Sequence, residues 1–229
     1  MKNKIIYYKG NGDILNIIIH GANEGSDSEF IKFISKSLQS KCLPVLTFDF
    51  SYITANTAPS PDKSKELAEL LNIVKIAKEQ YNYSKFNLIG KSMGGVIALK
   101  VGSKSEKEIA SVVILGFPIY LGTDVNIDLM KIDPFVPDEN YLNDFSELIK
   151  NQSGEVLIVQ GEKDLLGSVK DIKAIIKNSS KKIKLVTIPN ATHGFTPLSK
   201  ESTLEKNNEM IIKALIPGFL HTHFRPKSN

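Results

Sequence analysis

Tryptophan is absent from the 229-residue chain, cysteine occurs once, at Cys42, and arginine once, at Arg225. A single cysteine excludes an intramolecular disulfide and with it the stapled scaffolds of small secreted proteins, and it fits a reducing compartment. With one arginine among 29 basic residues, the chain lacks the usual bidentate reader of phosphates and base edges. The lysines are scattered among acids, as in Lys104-Ser105-Glu106-Lys107-Glu108, and 29 − 25 leaves a net charge of only +4. Dispersed charge of that size does not track a phosphate backbone, so no nucleic-acid partner is expected. Long apolar runs are missing as well. The first, Ile5 to Tyr8, stops at Lys9 and Gly10. A secretory segment needs about 7–15 apolar residues and a membrane helix about 20. No membrane insertion is expected, and the expected location is cytoplasmic.

What is present describes an ordinary globular protein: 41% hydrophobic and 24% charged residues. The length suits one domain, expected over residues 1–220, with a polar tail at 221–229. Short β-branched runs recur at Ile5–Tyr8, Leu15–Ile19, Val45–Phe50, Phe86–Ile89, Val112–Leu115, Val156–Gln160 and Ile183–Ile188. Most are continuously apolar, as strands of a parallel sheet covered on both faces should be. Gly10-Asn11-Gly12-Asp13 reads as a hairpin turn between the first two runs, which predicts an antiparallel N-terminal edge. Helical patterns fill the gaps. Ser26-Asp27-Ser28-Glu29 fits a capping box opening a helix to about Ser40, and Ser60-Pro61 opens another with proline at its first position. Further helices are expected at Met93–Ser103, Ser168–Asn178 and Ser202–Ile216, the last from a capping box of Ser202 and Glu205. The alternation predicts a three-layer α/β/α fold with a mostly parallel sheet. Residues 117–142, with Pro118, Pro134 and Pro137, interrupt it and are the candidate for a short lid.

The chemistry gathers at the ends of the strand candidates. Gly90-Lys91-Ser92-Met93-Gly94 follows one strand and opens a helix; such a turn strains its central residue and exposes the Ser92 hydroxyl, with small neighbours to avoid clashes. A serine nucleophile needs a base and a group to orient it. His193, in Thr192-His193-Gly194-Phe195 after the last strand, is the base candidate. Asp164, in Gly161-Glu162-Lys163-Asp164, is the orienting acid, with Glu162 as its rival. The order Ser92, Asp164, His193 puts each at the C-terminal end of a separate strand, where open α/β sheets carry their sites. His20-Gly21-Ala22-Asn23 ends the second strand. Its Ala22 N–H, with that of Met93, is the candidate oxyanion hole, and His20 is expected to be a structural hydrogen-bonder beneath the loop.

Taken together, His20-Gly21-Ala22, Gly90-Lys91-Ser92-Met93-Gly94-Gly95, Gly161-Glu162-Lys163-Asp164 and Thr192-His193-Gly194-Phe195 resemble the signatures of the α/β-hydrolase family over essentially the whole chain. Phe48-Asp49-Phe50 with Tyr52, and the Gly-Lys-Ser-Met-Gly-Gly elbow, look closest to a small branch without a large cap. That branch includes dienelactone-hydrolase-like proteins and the eukaryotic testis-expressed-protein group. The resemblance implies a serine hydrolase acting on a carboxylic ester or thioester, without cofactor, on a small acyl substrate. True dienelactone hydrolases use a cysteine nucleophile; the elbow here holds Ser92, so lactone specificity is not carried over. The alternative is a non-catalytic binding or scaffold protein that keeps hydrolase geometry, with a protein partner left open.

Other patterns carry less. Ser60-Pro61-Asp62-Lys63 matches a β-lactamase motif without its companions, and Gly10-x-Gly12 lacks the third glycine of a dinucleotide loop. His221 and His223 lack a third ligand, so no metal is expected. Cys42 is expected to be a small buried residue. Lys91 is expected to be packed or solvated at the elbow, with contact to an anionic substrate as the other reading. Phe117, Ile119, Leu165 and Phe195 are candidates for an acyl pocket by sequence adjacency.

Overall fold

The computed structural model describes residues 3–104, 107–121, 139–177, 183–200, 202–216 and 219–220. Seven strands form one sheet: β1 (Ile5–Tyr8), β2 (Ile14–Ile19), β3 (Val45–Phe48), β4 (Lys85–Lys91), β5 (Ile109–Leu115), β6 (Glu155–Gly161) and β7 (Ile183–Ile188). Their order across the sheet is β1-β3-β2-β4-β5-β6-β7, parallel throughout except for the β1–β3 pair. The helices are α1 (Glu29–Gln39), α2 (Ser51–Ala55), α3 (Ser64–Tyr81), α4 (Met93–Lys104), α5 (Glu139–Lys150), α6 (Val169–Ile176) and α7 (Leu204–Leu215).

The continuous apolar runs are explained by a sheet with two covered faces. Successive strand side chains point to opposite faces. Leu88, Val112, Ile114, Val156 and Ile158 accordingly enter one core, packed with residues of α3, α4, α5 and α6. Ile89, Val113, Leu115, Leu157 and Val159 enter the other, under α1 and α7. Three polar residues buried in neighbouring strands, Asn16, Asn87 and Ser111, form a linked set. Asn87 Nδ2 donates to Asn16 Oδ1 at 3.0 Å, Ser111 Oγ to Asn87 Oδ1 at 2.7 Å, and Asn16 Nδ2 to the Pro44 carbonyl at 2.9 Å.

Several local expectations shift. The N-terminal edge is antiparallel, but β1 pairs with β3, not with β2 through a hairpin. The Gly10–Asp13 link passes the start of β3 instead, with Asn11 N donating to the Cys42 carbonyl at 2.6 Å. Cys42 is exposed, not buried, in a left-handed turn at φ 57°. The caps move too. Ser28 caps α1, accepting from Ile31 N, while the Ser26 amide is held by Asp49 Oδ1 at 2.6 Å. Thr203 caps α7. Buried Glu66 accepts from the Ser60 amide at 2.8 Å, so Ser60-Pro61 becomes a turn ahead of α3, which begins after Lys63 at φ 60°. Helices α2 and α5 were not anticipated, although Phe145, Leu148 and Ile149 have helical spacing. Most of the 117–142 stretch, residues 122–138, and the whole 221–229 tail, including His221 and His223, lie outside the described residues. Among the described residues, no helix is long and apolar enough to cross a membrane, and no group of three or more metal-ligating side chains gathers.

The turn from β4 into α4 is a close-packed junction. A Cβ on Gly94 would lie 2.6 Å from the backbone oxygens of both Ile19 and His20, atoms that cannot rotate away. Overpacking costs up to about 3 kcal/mol, against a helix-propensity gain of about 1 kcal/mol for alanine over glycine. Gly94→Ala should therefore destabilise the fold by about 2 kcal/mol, read as a lower urea midpoint at unchanged slope.

Candidate active site

Ser92 occupies the single residue between β4 and α4, with φ at 52°. Its own amide donates to the Leu115 carbonyl on β5 at 3.0 Å, and its carbonyl accepts from Gly95 N at 2.8 Å. The elbow is thus tied to the neighbouring strand on one side and to the first turn of α4 on the other. The next residue, Met93, opens α4, so its N–H is one of those that a helix start leaves without an intrahelical partner.

The candidate base comes from the far side of the sheet. Beyond β7 the chain turns at Asn190, then doubles back through an antiparallel bridge of Ala191 with Pro197. Thr192 N donates to the Thr196 carbonyl at 3.0 Å and Phe195 N to the Thr192 carbonyl at 2.9 Å, which closes a tight loop with His193 at its tip. Phe195 roots that loop. It is fully buried, stacks on Phe30 at 5.7 Å, and its carbonyl accepts from Asn207 Nδ2 at 2.7 Å.

The three side chains expected to act together do meet. His193 Nε2 lies 2.8 Å from Ser92 Oγ, and His193 Nδ1 lies 2.8 Å from Asp164 Oδ2. The Asp164 side chain has no exposed surface, while that of His193 keeps 22%. Asp164 is itself fixed. Gln160 Nε2 donates to its Oδ2 at 2.7 Å and Leu166 N to its Oδ1 at 2.8 Å. Glu162, the rival acid, points elsewhere: its Oε2 accepts from the Asn190 amide at 2.9 Å. Burial lowers the His193 pKa below the ordinary histidine value; the bond to Asp164 opposes this, and the charge of Lys91 reinforces it. The imidazole is therefore neutral near pH 7.

The loop after β2 abuts the elbow, since a Cβ on Gly21 would lie 3.5 Å from Ser92 Cβ. His20 Nε2 accepts from the Phe50 amide at 3.0 Å, which leaves Nδ1–H to donate to the Gly21 carbonyl at 2.8 Å. Tyr52 Oη donates to the same carbonyl at 2.9 Å. Burial pushes the Tyr52 hydroxyl pKa up and the His20 pKa down, so both stay neutral. His20 is the structural hydrogen-bonder that the sequence suggests. A cavity of about 430 Å³ opens beside this loop, lined by residues that include Ala22, Asn23, Tyr52, Ile53, Pro59 and Lys63.

Three further residues shape the site without having been singled out for it. Gln160 is a polar residue ending an apolar strand, a signal visible in the sequence. Tyr52 sits beside the Phe48-Asp49-Phe50 run. Glu24 gave no signal, yet its field acts on His20, Lys91 and His193 alike. The candidate acyl-pocket residues do not form one. Phe117, Ile119 and Phe195 are fully buried in the cores, and Leu165 is 82% exposed. Lys91 is not offered to a substrate either, because its ammonium is buried and donates to the His193 carbonyl at 2.9 Å.

A family model described as an alpha/beta hydrolase domain matches residues 13–217. A search of curated proteins found no match. Among solved structures, a dienelactone hydrolase from Anabaena variabilis is 16% identical with a TM-score of 0.72, over 98% of this chain and 94% of that one. An alpha-beta serine hydrolase homologue from Coxiella burnetii is 17% identical with a TM-score of 0.70, over 93% and 91%. Est1E from Butyrivibrio proteoclasticus, bound to ferulic acid, is 20% identical with a TM-score of 0.64, over 92% and 94%. At these identities the structures share the fold, while the family model spans nearly all of the chain. The chain belongs to the alpha/beta hydrolase family.

Proposed function

We propose that the chain is a serine hydrolase that cleaves a carboxylic ester or thioester through an acyl-enzyme, with Ser92 as nucleophile, His193 as base and Asp164 as its orienting acid. The observation that carries this is the unbroken chain of two 2.8 Å contacts from Ser92 Oγ through the imidazole to Asp164 Oδ2. His193 Nε2 takes the hydroxyl proton as Oγ attacks the carbonyl carbon. Asp164 holds the tautomer with hydrogen on Nδ1 and stabilises the imidazolium that forms. The proton passes to the leaving alcohol or thiol, and water, activated by the same imidazole, then releases the acid.

The oxyanion falls to the N–H groups of Ala22 and Met93. In a trans peptide the carbonyl and the N–H point in opposite directions. The Gly21 carbonyl is held by His20 and Tyr52, which turns the Ala22 N–H the other way. Donors fixed before charge develops need no reorganisation during the reaction. The cavity beside Ala22 is the proposed seat of the acyl or alcohol group. Lys63, the one cation among the described lining residues, donates to the Ser60 and Pro61 carbonyls at 2.5 and 3.1 Å, so neutral esters are the first panel. A hydroxycinnamate ester belongs in it, given the ferulic acid bound to the Butyrivibrio protein.

A fluorophosphonate probe should label the wild-type chain and leave Ser92→Ala unlabelled. Folded wild type that resists the probe would sink the nucleophile and favour a binding role on the same fold. Asp164→Asn should lower kcat on a p-nitrophenyl ester by about 10⁴-fold, as expected when the imidazole tautomer is lost. Glu162→Gln should change it by about twofold or less, the scale of a surface change; equal mild losses would reject Asp164. Because the reaction needs neutral His193, kcat/KM should fall as pH drops through its lowered pKa. The half-maximal point should lie below about pH 6.5, the ordinary histidine value.

A further inference from the structure

Lys91 is the last residue of β4, one position before Ser92. It is 6% exposed, with Nζ donating to the His193 carbonyl at 2.9 Å and standing 5.7 Å from the centre of the Phe195 ring. A buried ammonium is an expensive choice at an elbow where an apolar side chain would fill the space. Burial pulls its pKa down to about 8, and the carboxylates of Glu24 and Asp164 work against that fall. The groups that face it are therefore Glu24 from the loop after β2, Asp164 from the loop after β6, and His193 from the loop after β7. Nothing in the proposed chemistry uses this charge, and the bond it makes runs across the sheet, from β4 to a loop that follows the seventh strand.

We propose that Lys91 is a positioning residue for the base: its ammonium ties the backbone of His193 to the strand that carries Ser92, and so sets the register of nucleophile and imidazole. This rests on the reading of Ser92 and His193 given above. Without the tether, the ring is still held by Asp164, but the other backbone anchors of the loop, at Ala191, Thr192 and Phe195, flank His193 and do not bond its own carbonyl. The charge has a second effect. Placed near the imidazole, it disfavours the imidazolium and keeps His193 in the form that accepts a proton. Lys91 does not line the cavity beside Ala22, so its influence falls on turnover and not on substrate affinity.

The test compares wild type with Lys91→Met, which keeps the length and loses donor and charge, and with Lys91→Gln, which keeps a neutral donor. Folding is checked by thermal melts, and active sites are counted with the fluorophosphonate probe. Histidine-labelled protein is titrated by NMR, with the His193 signal assigned from His193→Gln. Both variants should raise the His193 pKa. Lys91→Met should lower kcat per labelled site by roughly 10–100-fold, the range for losing one hydrogen bond to a charged group, at unchanged KM. An unmoved His193 titration in either folded variant overturns the proposal, whether or not the chain turns over esters. A moved titration with unchanged kcat per labelled site overturns it as well. A moved titration in a chain that the probe never labels keeps the tether and sinks the hydrolase reading instead.

Discussion

Ser92 sits in a left-handed backbone conformation at φ 52°, and the rest of the site is arranged around that one residue. A non-glycine residue there costs about 1–2 kcal/mol and persists only where its surroundings leave it no choice. Here those surroundings are the Ser92 amide bound to Leu115 on β5, the Ser92 carbonyl bound to Gly95, and Gly94 pressed against the backbone at the end of β2. Relaxing the serine would mean moving two strands and a helix together. In exchange the turn puts the hydroxyl 2.8 Å from His193 Nε2, and α4, with its positive dipole end, begins at the next residue.

Each of the other candidate participants is held by bonds beyond those linking Ser92, His193 and Asp164. Asp164 is gripped by Gln160 and the Leu166 amide. The Gly21 carbonyl is gripped by His20 and Tyr52, and the loop of His193 by Asn207 through Phe195. These supports come from β6, from α2 and from α7, so the site draws on both covered faces of the sheet. A polar network that is fully satisfied in this way is stiff, and stiffness is what allows dipoles to act on a developing charge without first being reoriented.

Much of this could be read from the residues because chemistry restricts residue type. Few side chains can serve as nucleophile, base and orienting acid, so Ser92, His193 and Asp164 stood out by identity and by their positions after strands. The seven strands stood out because burial on both faces demands long apolar runs. What escaped was set by partners distant in sequence. Gly10-Asn11-Gly12-Asp13 has the local chemistry of a hairpin, but β1 gains more by pairing with β3, and no local signal encodes that choice. Ser26 and Glu29 spell a capping box, yet Asp49 from β3's end captures the Ser26 amide and the cap passes to Ser28. Lys91 is the sharpest case. A lysine beside a nucleophile suggests a hand held out to an anion, and only the fold shows it turned inward to the backbone of the base.

That inward turn bears on the charge of what the site accepts. The carboxylates of Asp164 and Glu24 act on His193 in one sense and the ammonium of Lys91 in the other. In the proposed reaction, proton transfer from Ser92 would make an imidazolium and an oxyanion together, so a neutral ester would leave the net charge of the site unchanged. A substrate bearing a carboxylate would bring a further negative charge next to Asp164 and Glu24, into a partly desolvated space. Lys91 is committed to the His193 carbonyl, and Lys63 to the Ser60 and Pro61 carbonyls. Like charges in low dielectric repel strongly, and the scarcity of arginine removes the usual remedy. Under the hydrolase proposal, uncharged acyl groups are therefore the expected substrates.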